Sequence, residues 1–229
     1  MVVTDAVVVI PMHNEAEVIA SVVHDVRRLF DHVVCVDDGS TDRSAEVARA
    51  AGADVVRHPV NLGQGAALET GIVHALARHH AAFVVTFDAD GQHDPDDAAA
   101  MVDLARRSGV QVVLGSRFLG NASGISRARR LVLGAAVRFT RLTTGLDITD
   151  AHNGLRVLRR DAAETVRLRL HGMSHASEVL AQVARQGLTY AEHPVTINYT
   201  DYSRGKGQRS YNALNIAFDL MVDRLRAAA

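Results

Sequence analysis

Asp88 and Asp90 stand one residue apart in the run Asp88-Ala89-Asp90-Gly91-Gln92-His93, directly after the apolar stretch Phe83 to Phe87. Two carboxylates ~5 Å apart repel by roughly 3 kcal/mol at an effective dielectric of about 20. A divalent cation removes that repulsion. Oxygen ligands suit magnesium or manganese, and magnesium takes one or two carboxylates plus substrate phosphates. On an extended chain residues 88 and 90 share one side, so the pair is read as facing a single ion. An Asp-rich turn with no metal would give the same spacing.

A second acidic pair ends another apolar run, in Val36-Asp37-Asp38-Gly39-Ser40-Thr41-Asp42. A carboxylate here can accept from a base N–H or from ribose hydroxyls. Ser40 is expected to cap the following helix, with Asp42 favouring its N-terminus, which leaves Asp38 free. Asn61-Leu62-Gly63-Gln64-Gly65 opens a further helix, so its backbone N–H groups are placed to face an anion. It is not a dinucleotide fingerprint: position 68 is Leu, and the first strand–helix turn, Pro11-Met12-His13-Asn14-Glu15, has no glycine. His152, His171 and His175 are candidates to complete a metal shell, and His93 stands beside Gln92.

The elements that must hold these groups alternate. Val7 to Ile10, ended by Pro11, reads as a strand. Asn14 and Glu17 have the spacing of a capping box, and Val18, Ile19, Val22, Val23, Val26, Leu29 and Phe30 follow at helical period. Strands are expected at His32–Val36, around Val55-Val56, and over Phe83–Phe87 and Val110–Leu114. Helices are expected at about 41–51 and 65–79 and after the cap Asp94 with Pro95 at its first position. Continuously apolar strands alternating with helices predict a parallel sheet covered on both faces. Such sheets bind ligands at the carboxyl ends of their strands, where the three polar clusters fall. The second half is less regular: a basic helix over 126–142, a strand over 154–158, a helix over 174–186, an extended run over 188–198 and an amphipathic helix over 212–226.

Composition narrows the class. The chain has 229 residues, 48% of them hydrophobic, and a formal net charge of −1, so no global field argues for nucleic acid. Charge is unevenly placed. Acids crowd 88–97, whereas Arg127, Arg129, Arg130, Arg138 and Arg141 share a segment without an acid. A single cysteine, Cys35, lies in an apolar run and fits a reducing compartment. No signal-like or membrane-spanning stretch is apparent, so the expectation is a cytoplasmic protein, in peripheral contact with the cytoplasmic face of a membrane if its acceptor is a lipid.

Five motifs in order, Ile10-Pro11…Asn14-Glu15, Val36 to Asp42, Asn61-Leu62-Gly63-x-Gly65, Asp88 to His93 and Gly115-Ser116-Arg117, resemble glycosyltransferase family 2. Within it the sequence is similar to the dolichol-phosphate and polyprenol-phosphate sugar synthases. The resemblance implies an α/β GT-A fold in one domain spanning residues 1–229. A Rossmann-like, mainly parallel sheet flanked by helices would form a nucleotide-sugar-binding half at about 1–118, followed by a less regular acceptor-side half at about 119–229.

It implies that Pro11, Asn14, Glu15, Asp38, Gly65, Asp88 and Ala89 contact a UDP- or GDP-sugar. Asp88, Asp90 and Gln92 would bind Mg2+ or Mn2+. Asp90, Arg117, Asp150 and Glu178 would take part in an inverting transfer, and Arg117, Arg129, Arg204 and Lys206 would receive an acceptor phosphate. The tail, Arg204-Gly205-Lys206-Gly207-Gln208, departs from the pattern, with Gln208 where relatives carry Lys. A hydroxyl acceptor would need a general base, which Asp150 or Glu178 could supply. A polyprenyl phosphate is already an anion and needs cations instead. A hydroxyl-directed transferase and a non-catalytic nucleotide-sugar-binding subunit stand as alternatives, and the terminal helix as a core or homodimer contact.

Overall fold

Strands that are apolar along their whole length must be covered on both faces, and the chain does this with three layers. The computed structural model describes residues 2–121, 127–170 and 175–198, with 121 and 127–130 described by backbone alone. The helix expected over 212–226, and Arg204 and Lys206, lie outside the described residues.

In chain order the elements are β1 Val3–Met12, α1 Ile19–Arg27, β2 Phe30–Asp38, α2 Ser44–Ala50, β3 Asp54–His58, α3 Gln64–Arg78, β4 Phe83–Thr86 and α4 Pro95–Ser108. The second half adds β5 Val112–Asn121, α5 Arg127–Thr144, β6 Arg156–Arg159, α6 Arg160–Thr165, α7 His175–Gln186 and β7 Tyr190–Thr196. The seven strands form one sheet in the order β3-β2-β1-β4-β6-β5-β7. All neighbours are parallel except β6, which is antiparallel to both β4 and β5. One core, from α1, α2 and α4, packs on Val8, Ile10, Cys35 and Val85. The other, from α3, α6 and α7, packs on Val7, Val9, Val34 and Val84. Odd and even strand residues thus serve opposite layers, as the period of two requires.

Several boundaries differ from the sequence reading for physical reasons. β1 runs through Pro11, which pairs with Val36. Pairing to β4 ends at Val9, so the N–H that Pro11 lacks would have pointed past the end of β4. The Asn14–Glu17 capping box does not form: α1 starts at Ile19 after Val18 with no side-chain cap. Phe30 belongs to β2 rather than to α1. Ser40 does not cap α2, which starts at Ser44 behind Arg43. Asp94 does cap α4, accepting from Asp96 N with Pro95 in the first turn. The short helix α6 was not anticipated, nor was the reversed direction of β6.

That reversal positions the site. Because β6 is antiparallel to β4 and β5, it starts at the carboxyl-end edge of the sheet and runs away from it. The ends of β1, β2, β4 and β5 and the start of β6 therefore meet.

Candidate active site

The first two loops on this edge are fastened together. Asn14 adopts φ +55°, a left-handed conformation that Asn tolerates better than most residues. Its Oδ1 accepts from Thr41 N at 2.9 Å and Thr41 Oγ1 at 3.3 Å. Asn14 N donates to Ser40 Oγ at 2.9 Å, and Glu15 N donates to Ser44 Oγ at 2.7 Å. Asn14 thus serves the neighbouring loop instead of its own helix. Glu15 lies near enough to Asp90 for its charge to oppose ionisation there. Pro11 is buried at the end of β1.

Asp38 is not free. Its Oδ1 accepts from Leu62 N at 2.9 Å and from His58 Nδ1 at 2.7 Å, and its Oδ2 accepts from Gly63 N at 2.7 Å. Burial pushes its carboxyl up, but these donors and the His58 charge more than offset that and hold it below the usual range. The anion that the 61–65 backbone faces is therefore Asp38 itself. His58 reaches on to Thr70 Oγ1 at 2.9 Å, which ties β3 to α3. Gly65 is where residue 170 crosses the helix: a Cβ there would collide with the Leu170 carbonyl.

Asp88 and Asp90 do not lie on an extended segment, because β4 ends at Thr86 and residues 89 and 90 form a turn. Their surroundings differ. Asp88 Oδ1 accepts from Gln64 Nε2 at 3.1 Å and Oδ2 from His93 Nε2 at 2.9 Å. Its carboxylate rests on Gly154, where any Cβ would displace it. Gly154 is anchored in turn by Thr86 Oγ1, which donates to its carbonyl at 2.6 Å. Burial raises the Asp88 carboxyl, but His93, His175 and Arg156 together bring it below its ordinary value.

Asp90 has Gln92 N at 3.1 Å on Oδ1. Burial first, and the charge of Asp88 second, push its carboxyl up to about 6. Ala89, expected at the nucleotide, turns its methyl into the core at 6% exposure, so only its backbone can meet a ligand. Gln92 lies on the same turn as Asp90.

Among the described residues no three His, Cys, Asp or Glu side chains converge to hold an ion alone. His152 and His175 are in no such cluster among the described residues, and His171 lies outside them. A partly desolvated carboxylate beside a second one still fits a cation that takes its remaining ligands from phosphate and water.

Across the edge, Arg117 and Asp150 form a buried pair. Arg117 Nε donates to Asp150 Oδ2 at 2.6 Å, Arg117 N donates to the same oxygen at 3.1 Å, and Nη2 donates to the His152 carbonyl at 2.8 Å. Asp150 Oδ1 accepts from His152 N at 3.1 Å. Burial pushes the His152 imidazole down to about 4 despite Asp150, so it is neutral at pH 7.

Glu178 stands elsewhere: its carboxylate accepts from Arg169 N and Leu170 N at 2.9 to 3.0 Å and holds that segment over Gly65. The carboxylate expected to take part in transfer is thus already engaged with backbone donors. Arg129 lies within α5 on its backbone, and its side chain is outside the described residues.

Arg156 closes the segment Asp150…Gly154-Leu155-Arg156, which resembles a family segment with Leu in place of Phe. It is 4% exposed, donates to the Ala176 carbonyl at 3.1 Å, and sits in the fields of Asp88 and Asp150. Burial lowers its guanidinium to about 10, still charged at pH 7.

Residues 7–167 match the model of the family described as Glycosyl transferase family 2. The chain is 32% identical to the dolichyl-phosphate hexose transferase of Haloferax volcanii, over 83% of this chain and 82% of that protein. It is 28% identical to the UDP-N-acetylglucosamine–dolichyl-phosphate N-acetylglucosaminyltransferase of Methanococcus voltae, over 93% and 94%. A solved structure of glucosyl-3-phosphoglycerate synthase from Mycobacterium tuberculosis, with Mn2+, UDP-glucose and phosphoglyceric acid, superposes with a TM-score of 0.65 at 25% identity. The match covers 87% of this chain and 74% of that one.

Proposed function

We propose that this chain, which belongs to glycosyl transferase family 2, moves a sugar from a nucleotide-sugar donor to a polyprenyl phosphate, with inversion at the anomeric carbon. The observation that carries the reading is the division of charge on one sheet edge. A desolvated acid, Asp90, stands on the β4 side, and a pinned guanidinium, Arg117, on the β5 side.

Asp90, with Gln92 and Asp88 beside it, would hold a Mg2+ or Mn2+ ion, which neutralises the leaving pyrophosphate when bound. Asp88, fixed by Gln64, His93 and Gly154, orients the donor. Pro11, Asn14, Glu15 and Asp38 shape the nucleoside side: Asn14 and Asp38 hold loops, and Glu15 lies near Asp90. An open cleft of about 470 Å³ between Gly39, Thr41, Arg57 and Pro59 adjoins them.

A hydroxyl acceptor would require an available base. Both Asp150 oxygens already accept from Arg117 or His152, and Glu178 is spent on backbone, which supports an acceptor that is already an anion. Arg117 would meet that phosphate, with Arg129, Arg204 and Lys206 completing its receipt.

The α5 surface agrees with a lipid-borne acceptor on the cytoplasmic face. Leu131 is 76% and Leu142 79% exposed, with Val132 and Phe139 also exposed. An apolar side flanked by arginines suits a peripheral contact with an anionic surface. Arg141 is partly committed, donating to the Ile148 carbonyl at 2.7 Å and pairing with Asp147 at 3.0 Å. Among the described residues no helix is long and apolar enough to cross a membrane.

The test is transfer from a panel of UDP- and GDP-sugars, with Mg2+ or Mn2+, to polyprenyl phosphate in vesicles and to neutral saccharides. Product on the lipid phosphate alone, abolished by chelator, is expected. Product on neutral saccharides alone would overturn the reading.

A further inference from the structure

Glu192, on β7, is not among the residues singled out from the sequence, yet it reaches the acceptor side. Its Oε1 accepts from Thr149 N at 2.8 Å, Thr149 Oγ1 at 3.0 Å and Asp150 N at 3.2 Å, and its Oε2 also accepts from Thr149 N at 2.9 Å. Thr149 Oγ1 lies 2.6 Å from Ser116 Oγ on β5. β5 and β7 are paired in parallel, Leu114 opposite Glu192 and Ser116 opposite Pro194. The Thr149–Asp150 turn is therefore held from two adjacent strands at once.

This grip reaches the reacting side of the molecule. Asp150 carries Arg117 through its backbone N–H and Nε contacts to Oδ2. Asp150 also accepts from His152 N, and the following residues lead to Gly154, the seat of Asp88. Glu192 is half-buried and holds a turn 42 residues back in the chain. Burying a carboxylate costs desolvation, which its three donors offset. What the grip fixes is the position of Asp150 and, through it, the Arg117 guanidinium.

We infer that Glu192 is a positioning residue for transfer: it sets the Thr149–Asp150 turn so that Asp150 aims Arg117 at the acceptor phosphate. The inference rests on the proposed role of Arg117 at the acceptor. No covalent step runs through Glu192.

The experiment compares wild type, Glu192→Ala and Glu192→Gln in the full chain. It measures kcat and acceptor KM with polyprenyl phosphate in vesicles, donor Kd by calorimetry, and Tm. A displacement of ~1 Å at a reacting group costs on the order of 100-fold. Glu192→Ala is therefore expected to lower kcat/KM for the lipid phosphate by about 10- to 100-fold with donor Kd unchanged. Glu192→Gln keeps an acceptor oxygen for the turn and should recover to within about fivefold of wild type.

Equal loss of donor and acceptor affinity, or wild-type kinetics in Glu192→Ala, would overturn the inference. So would a fall in Tm with kcat/KM intact in the folded fraction. If Glu192→Ala fails to fold, the Glu192→Gln and Glu192→Asp kinetics decide: loss confined to the acceptor supports positioning, and an equal loss toward donor refutes it. Failure of the wild type itself to use polyprenyl phosphate would refute the proposed function, a separate outcome.

Discussion

The state of Asp90 gives a measurable link between protons and metal. Its carboxyl is raised from 3.8 to about 6 by burial and by the charge of Asp88. A group with that value is about nine-tenths ionised at pH 7 and about one-tenth ionised at pH 5. Because a carboxylate must be deprotonated to bind, Mn2+ affinity is expected to fall about tenfold between pH 7 and pH 5. An ordinary Asp would change by less than about 10% over that range.

The sign for stability follows from the same shift. The folded value is raised, so Asp90 weakens the metal-free fold as pH climbs from 4 through 6, by at most about 3 kcal/mol and less where water reaches it. Mn2+ should therefore raise Tm more at pH 7.5 than at pH 5. The assay is Mn2+ titration by calorimetry without nucleotide, across that range, on wild type, Asp90→Asn and His93→Gln. The slope should persist in His93→Gln and vanish, with most of the affinity, in Asp90→Asn. A pH-independent wild-type affinity would refute the argument.

Other expectations are as direct. Gly154→Ala places a methyl where the Asp88 carboxylate rests; overpacking of this kind costs about 1–3 kcal/mol, and kcat should drop about tenfold or more, so wild-type turnover would show that Asp88 need not stay seated. Glu178→Ala should cost about 1 kcal/mol of stability by removing hydrogen bonds to partly exposed backbone donors, read as a lower Tm, while kcat in the folded protein stays within about threefold; a loss on the order of 100-fold would support a catalytic role. Arg129→Ala should raise the KM for polyprenyl phosphate by about tenfold, a loss typical of one charge-assisted hydrogen bond, and leave donor Kd alone; an unchanged acceptor KM would remove Arg129 from the acceptor site.

The parts legible in the sequence were those fixed by local period. Apolar strands at Val7–Ile10, Val33–Val36 and Phe83–Phe87 and helical spacing at Leu68, Ile72 and Ala75 needed no distant partner to be recognised. The shared edge of the three polar clusters followed from parallel strands. Residues recruited across the chain were misread. Asn14 has the spacing of a cap, but its acceptor is claimed by Thr41, 27 residues on. Asp38 was read as free because nothing local shows that Leu62 and Gly63 will donate to it. Glu178 matches a recurrent acidic position of the family, and nothing in that match shows that backbone donors eight and nine residues back will engage it. The direction of β6 is hidden for the same reason: it depends on pairing with β4 and β5, which no local period reveals.

The buried charges explain why two neighbouring aspartates can do different work. Isolated ions in a low-dielectric interior are costly, and partners must be near to offset this. Asp88 has His93 within hydrogen-bond distance and the fields of Arg156 and His175, which favour its ionised form. Arg156 in turn lies between Asp88 and Asp150, while Asp150 is neutralised by Arg117. Asp88 and Asp150 are thus compensated from within the protein, and Asp90 is the member of the acidic loop left under-compensated, its charge opposed by Asp88 and Glu15. A cation placed there would meet a ligand already held in position and already destabilised in its free form. Removing Arg156 should consequently harm metal binding without touching the ion: with Asp88 less stabilised as an anion, protons would be shared between the two acids. In Arg156→Met, close in length and uncharged, the acidic pair loses a favourable field, so the midpoint of the pH dependence of Mn2+ binding should move upward. A profile superimposable on wild type would show that Arg156 only packs.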